Sequence, residues 1–205
     1  MYALTAENLG KRFGPLKVFS GISFEVASGR SLAIVGPNGS GKSTLLMILL
    51  GQHYPTVGAV TYLRDGSPLD EEELRQTSAL VAPYLNFYDH LTAEENLTFF
   101  ANASGRHLTG KQINAVLIRV GLEGRGDDPV GTYSSGMKQR LKYAAALLKE
   151  PAFLFLDEPT SNLDQPGKEI VRSIVDELRS KTVVLIATNE EEEYALADGV
   201  CRVNQ

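Results

Sequence analysis

Short apolar runs rich in β-branched residues alternate along this chain with longer segments of helical period. That is the pattern of an α/β fold whose sheet is buried and mainly parallel. Residues 32–35, 152–156 and 182–187 are the clearest runs and are expected to be central strands. Residues 2–8, 22–27 and 59–63 read differently: apolar and polar side chains alternate, and glycine-rich turns break them up. An N-terminal antiparallel β portion is expected beside the parallel core.

From about residue 91 to 149 the period becomes helical. Thr92 with Glu95, and Thr109 with Gln112, have the spacing of capping boxes, in which side chains satisfy the open amides of a first turn. Ile113, Val116, Leu117 and Val120 then fall on one helical face before Gly121 stops the run. A third helix is expected to open near Gly136, to place Met137, Leu141, Ala144, Ala145 and Leu148 at helical spacing, and to end before Pro151. These segments predict a helical lobe inserted into the α/β core. The stretch 121–131, with its glycines and Pro129, is expected to let that lobe move as a unit.

Composition narrows the picture. At 205 residues, 43% hydrophobic and 22% charged, the chain fits one compact domain over residues 1–205. Twenty basic residues against 25 acidic ones leave a net charge of -5, which argues against a nucleic-acid partner. The single cysteine, Cys201, reads as a small buried hydrophobe in a reducing setting. The first 13 residues carry charge where a secretory signal needs an apolar block, and no run approaches the ~20 apolar residues of a membrane helix. A cytoplasmic location is expected, with any membrane role supplied by a partner.

The chemistry concentrates in three motifs. Gly36, Pro37, Asn38, Gly39, Ser40, Gly41, Lys42 and Ser43 satisfy the G-x-x-x-x-G-K-[ST] pattern between an apolar strand and a helix. Glycines let backbone amides curl around phosphate oxygens, and the helix start adds partial positive charge. Lys42 is expected to reach the β- and γ-phosphates, the Ser43 hydroxyl to ligate Mg²⁺, and Thr44 to lie near the α- and β-phosphates. The second motif is an apolar strand that ends in Asp157 and Glu158. The first acid suits Mg²⁺ and the second suits a polarised attacking water. The third is Tyr133, Ser134, Ser135, Gly136 and Met137, followed by Lys-Gln-Arg at the head of an amphipathic helix.

That third segment resembles the signature of the ABC-type ATPases, usually written LSGGQ. Ser134 and Gly136 fall on its serine and second glycine, while Ser135 and Met137 replace the first glycine and the glutamine. The resemblance implies a P-loop NTPase core that binds ATP and Mg²⁺. It also implies that the signature of one chain faces the nucleotide of another, in a homodimer or beside a paired ATPase subunit. Phe13 falls on the family's adenine-stacking aromatic, and Asp164 on the loop that couples the two sites. The family works with separate integral membrane subunits and lies peripherally on the inner face of the cell membrane. Segments of the form YSxGMKQRL tilt the resemblance toward export. A soluble ABC-type module for assembly, such as iron–sulfur cluster assembly, and a phosphate-loop kinase or GTPase are the alternatives.

Two positions depart from the family. Pro83 stands where a glutamine normally touches Mg²⁺ and water, so that contact must be lost or supplied by a neighbour such as Asn86. Asn189 stands where histidine normally follows Thr188; it can still donate to a γ-phosphate but cannot become cationic. Glu158 is present, so the expectation is retained ATP binding with slowed hydrolysis. Asn189 is expected to cap a last helix whose acids, Glu190 to Glu193, favour its N-terminus and face solvent. The aromatic run Tyr84, Phe87 and Tyr88 either receives a partner or packs the lobe onto the core.

Overall fold

The computed structural model describes residues 1–203. The chain opens with β1 (Tyr2–Phe13) and β2 (Leu16–Ala27), which pair antiparallel across a turn at Gly14 and Pro15. Further along, β3 (Ser31–Val35) leads to α1 (Lys42–Leu49), and β4 (Val57–Arg64) returns to the free edge of β1. The two-residue β5 (Ser67–Pro68) completes an antiparallel sheet of order β2-β1-β4-β5. Gly58 is obligatory there: it holds φ 87°, and a Cβ would lie 2.3 Å from the Glu7 carbonyl oxygen.

Next come α2 (Glu71–Thr77) and β6 (Ser78–Val81), then the helical segment with α3 (Ala93–Ala103), α4 (Gly110–Arg119) and α5 (Ser135–Leu148). The chain finishes with β7 (Phe153–Asp157), α6 (Gln165–Leu178), β8 (Val183–Thr188), α7 (Glu191–Tyr194) and β9 (Gly199–Arg202). The second sheet has the order β6-β7-β8-β3-β9, and every pairing in it is parallel. Its two faces are set by strand alternation. In β7, Phe153 and Phe155 point to a core shared with α1 and the antiparallel sheet, while Leu154 and Leu156 point to one shared with α5 and α6. β8 divides in the same way, with Val183, Leu185 and Ala187 on the first side and Val184 and Ile186 on the second.

The expected mixed α/β architecture, with a parallel core, an antiparallel portion and an inserted helical segment, is the one observed. Both capping boxes form: Thr92 Oγ1 accepts from Glu95 N–H at 3.1 Å and Glu95 Oε2 accepts from Thr92 N–H at 2.8 Å, with the Thr109–Gln112 pair arranged alike. The stretch 121–131 is not a loose hinge. Its carbonyls and amides are bound to the start of α3: Glu94 N–H donates to Gly126 O at 3.0 Å, and Val130 N–H to Leu91 O at 2.9 Å. The Tyr133 hydroxyl donates to Arg125 O at 2.6 Å. Backbone polar groups that leave water must find partners, and here they fasten the segment inside the lobe.

Candidate functional site

Residues 36–44 join the carboxyl end of β3 to α1. Every residue of β3 is buried between β8 and β9, so the loop leaves a fixed edge. Its tightness follows from its glycines. A Cβ on Gly36 would lie 2.7 Å from both Ser40 Oγ and the Val203 carbonyl oxygen, and one on Gly41, at φ 99°, would lie 2.4 Å from Val18 Cγ1. Ser40 N–H donates to Pro37 O at 3.1 Å, curling the chain, and α1 begins at Lys42 with no side chain capping its first turn. The first amides of a helix lack intrahelical acceptors and carry the positive end of its dipole, so this turn suits an anion. The Ser40 hydroxyl is buried without a hydrogen-bond partner. Lys42, only 6% exposed, donates its ammonium to Gly36 O at 2.9 Å and Pro37 O at 3.1 Å, folded over the same loop.

The parallel register brings the neighbouring strand ends to this loop. Val35 pairs with Thr188, and Ala187 with Asp157. The Asp157 carboxylate is buried in the neighbourhood of the Ser43 and Tyr84 hydroxyls, the latter donating to Met47 Sδ at 3.8 Å. Burial pushes its pKa up; the Ser43 bond opposes this, the Glu158 charge adds to it, and Lys42 and Tyr84 oppose it further. The Tyr84 phenol is pushed up to about 12, first by burial and then by the charge of Asp157, so it keeps its proton. Glu158 is exposed at φ 47°, a backbone region few side chains occupy, and its N–H donates to Ala187 O at 2.9 Å. A strand that turns this sharply at an acid holds that acid out over the sheet edge.

The donor set fits a hydrated divalent ion. Among the described residues no group of three or more His, Cys, Asp or Glu could hold a metal by itself. One hydroxyl and one carboxylate, Ser43 and Asp157, are what Mg²⁺ takes when phosphates and water supply the rest.

The signature residues form a second block. Ser134 is the N-cap of α5, its Oγ accepting from Met137 N–H at 3.2 Å, and Ser134 and Ser135 are exposed. Gly136 packs closely on the Asn162 backbone: a Cβ would sit 3.1 Å from the Asn162 carbonyl oxygen, which would have to give by a few tenths of an ångström. Gln139 Nε2 and the Tyr143 hydroxyl both donate to Pro159 O, at 3.3 and 2.9 Å, so α5 holds the loop that follows Glu158. Asp164 ends that loop as the N-cap of α6, accepting from Gly167 N–H at 3.0 Å. Phe13 stands at the tip of the β1–β2 hairpin, 52% exposed, with the Lys11 ammonium 4.9 Å over its ring.

Several expectations need correction. Asn189 does not cap the last helix; Glu190 is the N-cap, without a side-chain bond, and Glu190 N–H donates instead to Thr188 Oγ1 at 2.9 Å. Glu193 does not face solvent. It is 3% exposed and accepts from Thr160 N–H at 2.8 Å and from the Thr160 hydroxyl, tying α7 to the loop after Glu158. Its spacing of three from the buried Leu196 was the available signal. The Asn86 amide donates to Tyr84 O at 3.3 Å. The aromatics divide: Phe87 packs on the core 5.6 Å from Phe100, while Tyr84 and Tyr88 are 47% and 53% exposed.

Known proteins resemble this chain in sequence and fold. The ABC transporter family matches residues 19–161. The uncharacterized ABC transporter ATP-binding protein YdbJ of Bacillus subtilis (strain 168) is 37% identical over 91% of this chain and 61% of its own length. The Nod factor export ATP-binding protein I of Burkholderia lata is 34% identical over 97% of this chain and 66% of its own length. This chain thus spans less than two thirds of each of these two relatives. A solved ATP-binding subunit of an ABC transporter superposes with a TM-score of 0.85 at 27% identity, covering 98% of this chain and 85% of that one.

Proposed function

The chain belongs to the ABC transporter family, and from that membership we propose that it binds and hydrolyses ATP to drive transport through separate membrane subunits. One observation carries the reading: the uncapped start of α1, the Lys42 ammonium and the Ser43–Asp157 pair converge at the carboxyl edge of the parallel sheet. Ligands of open α/β sheets sit at such edges.

In this reading the amides of residues 39–44 and Lys42 grip the phosphates, while Phe13 stacks on adenine. Mg²⁺, when bound, neutralises charge on the β- and γ-phosphates. Ser43 and Asp157 hold it there. Glu158 polarises a water whose oxygen bonds to the γ-phosphorus as the bond to the β–γ bridging oxygen breaks, giving ADP and phosphate. Asn189 donates a hydrogen bond to the γ-phosphate. Ser134, Ser135, Gly136 and Met137 of a second copy or paired subunit close over the nucleotide, and the loop ending at Asp164 connects the two sites. Pro83 and Asn189 make hydrolysis slow.

The membrane subunit docks in a groove of about 690 Å³ between the core and the lobe, bordered by Leu85, Phe87, Phe100, Ala145 and Lys149. Its apolar lining beside the exposed Tyr88 and Phe99 supports a helix-sized partner. The Burkholderia lata relative is named for export, and export is the direction carried over. No helix among the described residues is long and apolar enough to cross a membrane, so in this proposal the pathway belongs to the partner. The test is phosphate release by the purified protein with Mg²⁺ and ATP, beside co-purification of a membrane protein from the native host. Turnover abolished by Lys42→Ala supports the reading, and turnover unaffected by that change contradicts it.

A further inference from the structure

Resting on the nucleotide site proposed above, we infer that Glu193 is a positioning residue for hydrolysis: through Thr160 it holds the turn that presents Glu158 in a fixed relation to Asn189. Its carboxyl is 3% exposed, and Oε1 accepts from Thr160 N–H at 2.8 Å and from the Thr160 hydroxyl. Thr160 lies inside the turn that follows β7, which Ser161 N–H closes onto Glu158 O at 3.1 Å. A grip on Thr160 is therefore a grip on the acid that opens the turn. A carboxyl is costly to bury unless its oxygens are bonded, and Oε2 is buried without a partner. That cost is offset at Oε1 alone, so what this side chain does for the fold is done at Thr160.

The other end of the link reaches Asn189. Glu193 N–H donates to Glu190 O at 3.1 Å, and Glu190 N–H donates to Thr188 Oγ1 at 2.9 Å, so the carboxyl is set by the residues on either side of Asn189. Thr188 ends β8, and the residue before it, Ala187, accepts from Glu158 N–H at 2.9 Å. The bonds thus close a ring: Glu158 to Ala187, Thr188 to Glu190, Glu190 to Glu193, Glu193 to Thr160, and Ser161 back to Glu158. Glu158 is a member of that ring and Asn189 lies between two members, both exposed, so neither shifts far without opening a bond. Glu158 sits at φ 47°, a conformation that its surroundings must impose. The ring supplies that constraint from the side of α7, while Gln139 and Tyr143 hold Pro159 O from α5. The Glu193–Thr160 link joins the two segments through side chains, so substitution can cut it and leave the backbone bonds in place.

The test is steady-state phosphate release by the purified full chain with Mg²⁺ and ATP, read as kcat and KM separately. Glu193→Ala is expected to lower kcat about tenfold and to leave KM for ATP within about twofold, because the phosphate grip is untouched while the reacting groups lose their register. Glu193→Gln retains an acceptor at Oε1 and is expected to restore most of the rate. Thr160→Val keeps the shape of the side chain and the backbone donor, loses the hydroxyl, and is expected to lower kcat in the same direction. The two act through one link, so Glu193→Ala combined with Thr160→Val is expected to be no slower than Glu193→Ala alone. Where Glu193→Ala does not fold, Thr160→Val carries the test. Unchanged kcat in the folded variants, a loss that falls on KM, or a Glu193→Gln as slow as Glu193→Ala overturns the inference and leaves the nucleotide site standing. A wild type that binds ATP and releases no phosphate overturns the hydrolysis reading, and the inference with it.

Discussion

Glu158 shows how much one backbone angle decides. Its φ of 47° turns the side chain out of β7 immediately after Asp157, separating two acids that adjoin in sequence: one buried against Ser43, the other exposed at the edge. Glu158→Gln keeps size and loses only the base, so it is expected to lower kcat at least 100-fold while ATP still binds, read by phosphate release and equilibrium titration. Asn189, exposed and free of the capping role, is the other lever. Asn189→His is expected to raise steady-state turnover several-fold; unchanged rates in it and in Pro83→Gln contradict the idea that these departures slow hydrolysis. The strand–loop–helix placement of residues 36–44 was legible because the pattern is local, a fixed spacing between a strand and a helix. Lys142 was not, because the Ala82 and Pro83 carbonyls that its ammonium reaches are brought close only by the packing of α5. In sequence, Lys142 is one more charge in an amphipathic helix.

Elements were legible where their ends carry their own chemistry. The Thr92 box forms as expected, and Thr92→Ala is expected to cost about 1 kcal/mol in chemical denaturation. α6 escaped notice although Asp164 and Pro166 mark its start, because Asp164 was read only as a residue of the coupling loop; it serves as the cap as well. β6 and β9 escaped because each has four residues, and the edge strand β9 alternates half-buried and exposed positions. The chain enters β9 through Asp198, whose Oδ2 accepts from Ser31 N–H and Ser31 Oγ–H, both at 2.9 Å. The Ser31 backbone bond, first among its causes, holds the Asp198 pKa below the ordinary carboxylate value. A depressed folded pKa stabilises above the carboxylate range and loses that stabilisation as pH falls through it. Asp198→Asn is therefore expected to cost about 1 kcal/mol near neutral pH, a gap that closes in acid. A gap of constant size across that range contradicts the assignment.

At the scale of the whole molecule, two blocks meet at one loop. The sheet edge carries Lys42, Ser43, Asp157 and Glu158, while α5 carries Ser134 and, through Gln139 and Tyr143, grips Pro159 just after Glu158. Gly136 packs on the same loop, and Glu193 ties it to α7. What happens at the phosphates is thereby wired to the face that a second copy would meet. Glu158→Gln protein with ATP is expected to shift from monomer to dimer in light scattering, and Ser134→Arg to block the shift; a monomer at all ATP concentrations contradicts head-to-tail closure. All of this stands on the grip of one loop on a triphosphate. The direct measurement is calorimetric titration of ATP with Mg²⁺ into the wild type and Lys42→Ala: the account predicts saturable binding to the first that weakens at least tenfold in the second, and equal affinity in the two, or none in the wild type, would contradict it.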